Sequence, residues 1–426
     1  MSAIIESGAS FDATTRPRSS AATLQKGVLW LLVFSGGFAI IEPSPYEVVF
    51  LLAALVFAAT RLRFDPLFAP LLVCLAVFDL GGLLSLIPWL DNRDSIFFII
   101  TTFYVTVTAV FFACVMLEDP EARLKTMRSA FILAAVCASI AGILGYFDVA
   151  GLAEPFTRYN RATGTFKDPN VLGPFLVLPL VWLLQGVVLG ARQSMARTYL
   201  PLLIIITALF LSFSRGAWGA AAASVVMMVA LTFFTSRSAR LRLRIVALCG
   251  AGLGALALLL AIALSIPAIR EVFDIRASLS QDYDLGEFGR FGTQLRSLPM
   301  LLERPLGFGP LQFRYVFSGE DPHNVFINAF ASYGWLGGFA FFALNAMTMY
   351  VGWWLALRRG PLQPQAIALW SCLFVQLVQG FQIDTDHWRH LWLFIGCVWG
   401  LAAYVRREEL RQESQQDRAS YLHATA

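Results

Sequence analysis

The chain has 426 residues, of which 58% are hydrophobic and 14% are charged, and its mean hydropathy is +0.66. Soluble globular proteins contain about 45–50% apolar and about 25% charged residues, and a soluble domain of this size has too little polar surface to cover so much apolar material. These values exclude the soluble Rossmann, TIM-barrel and sandwich classes, and the continuous apolar runs exclude a β-barrel, whose strands alternate. The sequence therefore predicts an all-α polytopic membrane protein.

The apolar runs predict about twelve membrane-spanning helices. A spanning helix needs about 20 apolar residues, and the candidates lie near residues 27–41, 46–60, 66–90, 95–117, 129–148, 170–190, 198–213, 215–234, 245–266, 324–357, 363–381 and 390–405. The segment 324–357 is long enough to be broken, and Gly334, Gly337 and Gly338 are the natural break points. We expect helices one to nine in residues 27–266 and helices ten to twelve in residues 323–405.

The basic residues predict the orientation. With the N-terminus placed in the cytoplasm, every predicted cytoplasmic segment contains Lys or Arg, and together these segments hold 20 of the 32 basic residues. The short outer turns hold only Arg93, Arg215 and Arg389. Because this distribution follows the positive-inside rule, we expect both termini, residues 1–26 and 406–426, to be polar cytoplasmic tails.

Three helices are predicted to begin at the outer face with unusual sequences. These beginnings are Asp168-Pro169-Asn170, Ser214-Arg215-Gly216 and Asp321-Pro322-His323-Asn324. The first and third pair an Asp cap with a Pro at the first helical turn. A helix start offers free N–H groups and a partial positive charge, which suit a diphosphate, and Arg215 would add a full charge. The starts thus indicate an anion-binding site, although ordinary caps would have the same sequences.

The outer segment 267–322 is much longer than the other loops, and loops of this length are usually functional or disordered. Aromatic residues and leucines interspersed with charges argue against disorder. Residues 287–303 have helical periodicity, with leucines 295, 298, 301 and 302 on one stripe. We expect a small, partly helical periplasmic subdomain between spans nine and ten, which holds six arginines: Arg270, Arg276, Arg290, Arg296, Arg304 and Arg314.

His323 is one of only four histidines, and it is predicted to lie where a helix begins at the outer face. Its imidazole can take up a proton near neutral pH and could therefore act as a general base. A histidine in such a place can equally be structural, and the residue alone leaves both interpretations open.

Two other polar groups allow different functions. The turn that contains Asp384, Asp386, His387 and His390 could serve an intramembrane metalloprotease, but its spacing matches no zinc motif. Asp79 lies within a predicted span, where it marks either a polar pathway, as in a transporter or flippase, or a buried structural pair. Because the sequence contains no cofactor or nucleic-acid motif, we expect no metal, no cofactor and no nucleic-acid partner.

Several short stretches together resemble the O-antigen ligase and polymerase superfamily of bacterial envelope glycosyltransferases. They are Thr163-Gly164-Thr165-Phe166-Lys167-Asp168-Pro169-Asn170, Phe213-Ser214-Arg215-Gly216-Ala217, Gly289-Arg290, Glu303-Arg304-Pro305-Leu306-Gly307-Phe308-Gly309, Pro322-His323-Asn324 and Gly334-Trp335-Leu336-Gly337. The motifs lie within roughly residues 160–350, and their order and their placement on one face make the combination more specific than any one of them.

The resemblance implies a glycosyltransferase of the bacterial inner membrane whose active site faces the periplasm. Such an enzyme passes a glycan from undecaprenyl diphosphate to an acceptor hydroxyl, with inversion and without a metal or nucleotide. The acceptor is a lipid A-core in a ligase and a second lipid-linked glycan in a polymerase, and both remain open. The partners implied are this donor, this acceptor and the lipid bilayer.

The resemblance also implies roles for particular residues. Arg215 and Arg290 resemble the arginines that hold the diphosphate, and His323 resembles the histidine proposed to activate the acceptor hydroxyl. The choice of Arg290 over Arg296 depends on the Gly-Arg context alone. We expect these three as catalytic residues, and four others to bind the diphosphate or the glycan: Lys167, Asn170, Arg296 and Asn324.

Overall fold

The computed structural model describes residues 20–41, 43–60, 62–190, 194–267, 269–271, 273, 289–316 and 321–425. In this part of the chain nearly all regular structure is helical, and the exception is a hairpin of two short strands, β1 Thr157–Arg158 and β2 Arg161–Ala162. The predicted all-α class is therefore confirmed. The predicted tail residues 1–19 and much of the outer segment, including Arg276, lie outside the described residues.

The helices follow the predicted apolar segments along the chain. Their bounds are α1 Ser20–Ser35, α2 Pro45–Thr60, α3 Ala69–Leu86, α4 Arg93–Val115, α5 Pro120–Tyr146, α6 Ala153–Phe156, α7 Pro169–Val188, α8 Met195–Leu211, α9 Arg215–Thr235, α10 Ala239–Leu264, α11 Arg290–Leu302, α12 Phe313–Val316, α13 Val325–Leu357, α14 Gln363–Gln379 and α15 Arg389–Thr425. Short 3-10 turns extend α3 at both ends, at Pro66–Phe68 and Ile87–Trp89.

Seven described helices are long and apolar enough to cross a membrane. They are α3 with its flanking turns, α4, α5, α7, α9, α10 and α13. The shorter helix α2 and most of α8 are also apolar. Each of the twelve predicted segments contains a helix, but the count of twelve spans stays a prediction, because the remaining helices do not meet the same criterion of length and apolarity.

The helices pack to different extents. Helix α7 is largely buried, whereas the other described residues cover almost none of α10. The core is aromatic at several points, with Tyr46, Trp182, Tyr333 and Trp392 among its fully buried side chains. An apolar helix that its own chain leaves uncovered is stable only where lipid or another apolar surface covers it, so the bare face of α10 fits a membrane protein.

Helix α13 is broken at Gly334, as the sequence predicts. Gly334 has φ 68°, while Gly337 and Gly338 stay helical, so the break lies at one of the three candidate glycines. The end of the outer loop fills the gap, because the Trp335 N–H donates to the Pro305 carbonyl (2.8 Å) and the Phe308 N–H to that of Ala331 (2.8 Å). The broken helix and the outer loop are thus one packed unit.

Helices extend into the described parts of both predicted polar tails. Helix α1 begins at Ser20, inside the predicted N-terminal tail, and α15 continues to Thr425 through the predicted C-terminal one. Ion pairs one turn apart explain the helicity of residues 406–425, since Arg406 pairs with Glu409 (3.2 Å) and Arg411 with Glu408 (2.5 Å). Such pairs stabilise exposed helices.

The outer helix α11 confirms the predicted periodicity, but its leucine stripe faces outward. Leu295 and Leu302 are 69% and 73% exposed, and among the four leucines only Leu301 is buried. The buried face is instead polar and contains Thr293, Gln294 and Ser297. Hydrogen bonds to the start of α13, described below, explain why this polar face turns toward the protein.

Candidate active site

The start of α7 is tied to the short hairpin that precedes it. Tyr159 and Asn160 at its tip have φ 53° and 55°, the left-handed pair of a tight hairpin turn. Arg161 follows them and is only 7% exposed. Its Nε donates to the Ser212 carbonyl (2.7 Å), and its Nη2 to Asn170 Oδ1 (2.8 Å). A buried guanidinium therefore joins the hairpin, the end of α8 and the start of α7.

Asn170 connects the first predicted helix start to the second. Its Oδ1 accepts from the Ser214 hydroxyl (2.9 Å) as well as from Arg161. Ser214 is the N-cap of α9, and the capping oxygen accepts from the Ala217 N–H (3.4 Å). Asp168 caps α7 in the same way, through the Asn170 N–H (2.7 Å). The starts of α7 and α9 thus lie side by side, with Arg215 half-buried as the first residue of α9.

The end of α14 lies between the second and third helix starts. A Cβ placed on Gly216 would lie 3.0 Å from Gln379 Nε2, so the Gln379 amide covers the first turn of α9. The next residue, Gly380, accepts a hydrogen bond from the Val325 N–H (2.8 Å) at the start of α13. All three predicted starts therefore converge, and we call Asn170, Ser214, Arg215, His323 and Asn324 the helix-start cluster.

The third start is capped by a different residue from the one predicted. Asn324 is the N-cap of α13, and its Oδ1 accepts from the N–H groups of Phe326 (3.1 Å) and Ile327 (3.2 Å). Asp321, the predicted cap, instead accepts from Arg314 Nε (3.2 Å). Asp321 does not cap the helix for a steric reason. His323 adopts a left-handed backbone, so the chain turns between Asp321 and the first turn of α13.

Helix α11 is docked on this third start by one side chain. Gln294 Nε2 donates to the carbonyls of Pro322 (3.0 Å) and His323 (3.3 Å), and Gln294 Oε1 accepts from Asn324 Nδ2 (3.4 Å). Gln294 lies four residues after Arg290, which is one helical turn, or about 6 Å along the axis. Arg290 is the first residue of α11, and its side chain lies outside the described atoms.

His323 is half-buried and has φ 49°, a conformation that costs about 1–2 kcal/mol in residues other than glycine. The Asp384 carboxyl lies within hydrogen-bonding reach of the His323 and Asn324 N–H groups. Burial raises the pKa of this carboxyl well above its usual range, and Asp386 and Asp321 raise it further, while the two N–H groups oppose the shift. Gln294 therefore holds the His323 backbone at its carbonyl, and the Asp384 carboxyl lies near its N–H group.

The other predicted binding residues lie at the edges of the cluster. Lys167 is exposed and precedes the cap of α7, and its carbonyl accepts from Arg158 Nη1 (3.4 Å). Arg296 is also exposed and follows Gln294 by two positions on α11, which places it on another face of that helix. Asn324 uses both ends of its amide within the protein.

In the turn that the sequence offers as a possible metal site, Asp386 and His387 bond to other side chains of the protein. Asp386 Oδ2 accepts from the Tyr333 hydroxyl (3.0 Å), and Thr102 Oγ1 lies 3.0 Å from that hydroxyl and 3.1 Å from His387 Nε2. We call Thr102, Tyr333, Asp386 and His387 the Asp386 cluster. Within the described residues no three His, Cys, Asp or Glu side chains are grouped so that they could share a metal ion.

Asp79 is the other residue for which the sequence allows two roles. Its side chain is buried and accepts a hydrogen bond from Thr106 Oγ1 (2.9 Å) on the neighbouring helix α4. This contact corresponds to the structural pair that the sequence left open. A hydroxyl partner satisfies one carboxyl oxygen of a residue that would be costly in a span without one.

The convergence also depends on Arg161, Gln294 and Gln379, which join the segments and are not among the predicted site residues. Each of the three had a visible signal: Arg161 lies two residues before a motif stretch, Gln294 lies one helical turn before Leu298, and Gln379 is a polar residue at the end of an apolar helix.

The comparison with known families supports the resemblance. Residues 200–342 match the family model described as O-antigen ligase. The match includes the Ser214-Arg215 start, all of α11 and the His323-Asn324 start, whereas Asn170, Gln379 and Asp384 lie outside it. No curated protein matches the chain. The expected superfamily is confirmed for the part of the chain that forms two of the three helix starts.

Proposed function

We propose, from the membership of residues 200–342 in the O-antigen ligase superfamily, that this membrane protein is a glycosyltransferase that uses undecaprenyl diphosphate as its carrier. It moves the glycan to an acceptor hydroxyl at the periplasmic face, with inversion and without a metal or nucleotide. The observation that supports this most is the convergence of three helix starts around Arg215 and His323.

The leaving group sets the first chemical requirement. When the bond between the anomeric carbon and the phosphate oxygen breaks, the electron pair leaves with undecaprenyl diphosphate, and negative charge grows on that oxygen. The positive end of the α9 helix dipole, together with the Arg215 guanidinium, suits this charge. Arg290 at the start of α11 is the second cation in the proposal. Fixed donors of this kind stabilise a transition state without a metal ion.

The acceptor sets the second requirement. Its hydroxyl oxygen forms the new bond to the anomeric carbon from the face opposite the diphosphate, which inverts the configuration. The proton of that hydroxyl passes to His323, which must be neutral to accept it. A general base contributes about 10²–10⁴-fold to such a step. His323 lies next to the start of α13 and is held there through its backbone.

Four residues complete the proposed site. Asn170 keeps the starts of α7 and α9 together, and Asn324 caps α13, so both shape the site through the helices that they hold. Lys167 and Arg296 are exposed cations at its edge, where they suit the diphosphate or the glycan. The polyprenyl tail requires a surface open to lipid, which the bare apolar faces of the helices supply.

The proposed setting is the bacterial inner membrane. The positive-inside distribution supports twelve spans with both termini in the cytoplasm. The helix-start cluster then faces the periplasm. A polymerase that extends a lipid-linked glycan would use the same site and the same chemistry, so the proposal covers a ligase first and a polymerase second.

A transfer assay with two acceptors tests the proposal. Purified protein in liposomes would receive an undecaprenyl-diphosphate-linked glycan together with either a lipid A-core or a second lipid-linked glycan. We expect release of undecaprenyl diphosphate that depends on the acceptor, and the acceptor that supports release separates ligase from polymerase.

Arg93→Ala is a matched control for Arg215→Ala in this assay. Arg93 is also the first residue of a helix after a side-chain cap, Asn92, but it lies on α4. We expect Arg215→Ala to lose about 10²–10³-fold in rate and Arg93→Ala to keep most of it. Equal rates for wild type and Arg215→Ala would contradict the proposal.

A further inference from the structure

The Gln294 side chain on α11 bonds both to the residue before His323 and to His323 itself. Its Nε2 donates to the carbonyls of Pro322 and His323, at 3.0 and 3.3 Å. The side chain is 8% exposed, so water competes little for these bonds. The same amide accepts from Asn324 Nδ2 (3.4 Å), which means that both of its ends are committed to the start of α13.

The backbone that Gln294 contacts has a conformation that needs support from surrounding residues. His323 lies in the left-handed region, at φ 49°, between a proline and the helix cap. A residue in this region persists when its surroundings determine its conformation. Gln294 fixes the carbonyl side of His323, and Asp384 lies within reach of its N–H. The direction of the imidazole depends on this backbone, because the ring is attached to it through only two rotatable bonds.

Gln294 also fixes the position of α11. Arg290 begins this helix one turn before Gln294, so a displacement of Gln294 displaces Arg290 with it. At the other end of α11, Trp335 Nε1 donates to the Leu301 carbonyl (2.8 Å). The helix is thus docked on α13 at two points, one at His323 and one just after the Gly334 break.

We infer that Gln294 is a positioning residue, which sets the distance between the histidine and the arginine-bearing end of α11. The inference rests on the proposed function, since it assigns Gln294 an effect on glycan transfer through His323 and Arg290. Gln294 itself touches no reacting atom. Its effect arises because a misplacement of about 1 Å in a reacting group can cost about 10²-fold in rate.

Gln294→Leu removes both ends of the amide and keeps the approximate volume of the side chain. We expect kcat to fall about 10- to 100-fold, with less than a threefold change in KM for the lipid-linked donor. The split arises because Arg215 and the lipid-facing surfaces, which would hold most of the donor, stay in place, while His323 and Arg290 lose the alignment that the transition state requires. A side chain that only stabilised the fold would lower the amount of active protein and leave the kcat of the remainder unchanged.

Gln294→Glu keeps the shape of the side chain and, when ionised, removes its ability to donate hydrogen bonds. An ionised carboxylate cannot donate to two carbonyls, whereas a protonated carboxyl can donate to one. We expect this variant to resemble Gln294→Leu at pH 8 and to regain part of its activity, as a ratio to wild type at the same pH, near pH 6. The ratio removes every pH effect that the variant shares with wild type.

Gln312→Leu is the matched control. Gln312 is also a buried glutamine of the outer segment, and its Nε2 donates to Ser95 Oγ (3.0 Å) and the Pro310 carbonyl (3.3 Å) rather than to His323. We expect its kcat to stay within about threefold of wild type, with similar thermal unfolding temperatures for both glutamine variants.

The outcomes separate this inference from the proposed function. If His323→Ala abolishes transfer while Gln294→Leu keeps full kcat, or if Gln294→Leu and Gln312→Leu lose kcat equally, Gln294 does not position the histidine. If His323→Ala keeps full transfer, the proposed function itself fails. Loss of kcat in Gln294→Leu with a pH-dependent partial recovery in Gln294→Glu supports the inference.

Discussion

Two polar clusters of this protein contain a histidine beside aspartates, and they are built in different ways. In the helix-start cluster, side chains bond largely to backbone: Gln294 holds the carbonyl of His323, and Asn324 and Ser214 hold helix N–H groups. In the Asp386 cluster, side chains bond to one another, as in the 3.0 Å contact between Tyr333 and Asp386. The first arrangement fixes where helices begin. The second lets buried polar side chains satisfy one another's hydrogen bonds inside the helix bundle.

This difference distinguishes a candidate catalytic histidine from a histidine that stabilises the fold. His387 packs its ring edge-on against Phe98, with 4.4 Å between the ring centroids, and its Nε2 lies 3.1 Å from Thr102 Oγ1. His323 lies at the meeting point of three helix starts, where we propose that Arg215 and the helix dipoles bind the diphosphate. We therefore expect changes in the first cluster to affect catalysis and changes in the second to affect stability.

The largest expected effect is that of His323→Ala, paired with His387→Ala. Loss of a general base should lower the transfer rate about 10²–10⁴-fold with little change in thermal unfolding. His387→Ala should keep the rate within about threefold. Initial rates of undecaprenyl diphosphate release check both variants, and an equal loss in the two would remove the distinction between the clusters.

Asp386→Ala should have the largest effect on stability. It leaves the Tyr333 hydroxyl without its acceptor in a site where Asp386 is 4% exposed, and each buried polar group left unsatisfied costs about 1–3 kcal/mol. We expect a loss of about 3 kcal/mol in unfolding free energy, measured by thermal unfolding in detergent. Asp94→Ala, an exposed aspartate on α4, is the control, and an equal loss there would argue against a closed cluster.

Asn170→Leu tests whether the link between the starts of α7 and α9 matters for the helix-start cluster. The substitution removes the acceptor shared by Arg161 and Ser214, so the starts of α7 and α9 lose their link. We expect about a tenfold loss of transfer rate, because Arg215 shifts with the start of α9. Arg161→Leu should give a similar loss and the double variant little more, since both act through one contact. Additive losses would show that the two residues act separately.

The smallest expected effect is a change in the pH dependence of stability on Asp384→Asn. The folded-state pKa of Asp384 is raised by burial, so the folded protein binds this proton more tightly than the unfolded chain does. Stability from this group is therefore present at low pH and falls as pH rises from the unfolded pKa, about 3.9, through the raised folded one.

The Asn variant cannot lose this proton. We expect its unfolding temperature to fall less than that of wild type between pH 5 and pH 8. Glu303→Gln, on an exposed turn, controls for the removal of a carboxyl elsewhere. A pH profile of Asp384→Asn identical to that of wild type would mean that Asp384 is not held protonated in the fold.

The sequence was sufficient for features that depend on local patterns. Apolar runs located the helices, Gly334 marked the break in α13, and the Ser214 cap followed from the residue type and its place before Arg215. These features depend on propensities within a few residues, which are readable in a single chain.

Other features depend on tertiary contacts, and local patterns could not supply them. Asn324 rather than Asp321 caps α13 because His323 turns the backbone into the left-handed region and Asp321 pairs with Arg314. Three of the four leucines of the α11 stripe are exposed because Gln294 bonds to the start of α13 and turns the neighbouring face toward the protein. In both cases a partner distant in the sequence outweighs the local preference.

The most direct test of the central claim is a single-turnover measurement of undecaprenyl diphosphate release by purified protein from a lipid-linked glycan. Wild type and His387→Ala should release it at similar rates when an acceptor is present, and Arg215→Ala and His323→Ala should each be at least about 100-fold slower. Release at the wild-type rate by both Arg215→Ala and His323→Ala would contradict the assignment of the active site to the helix-start cluster.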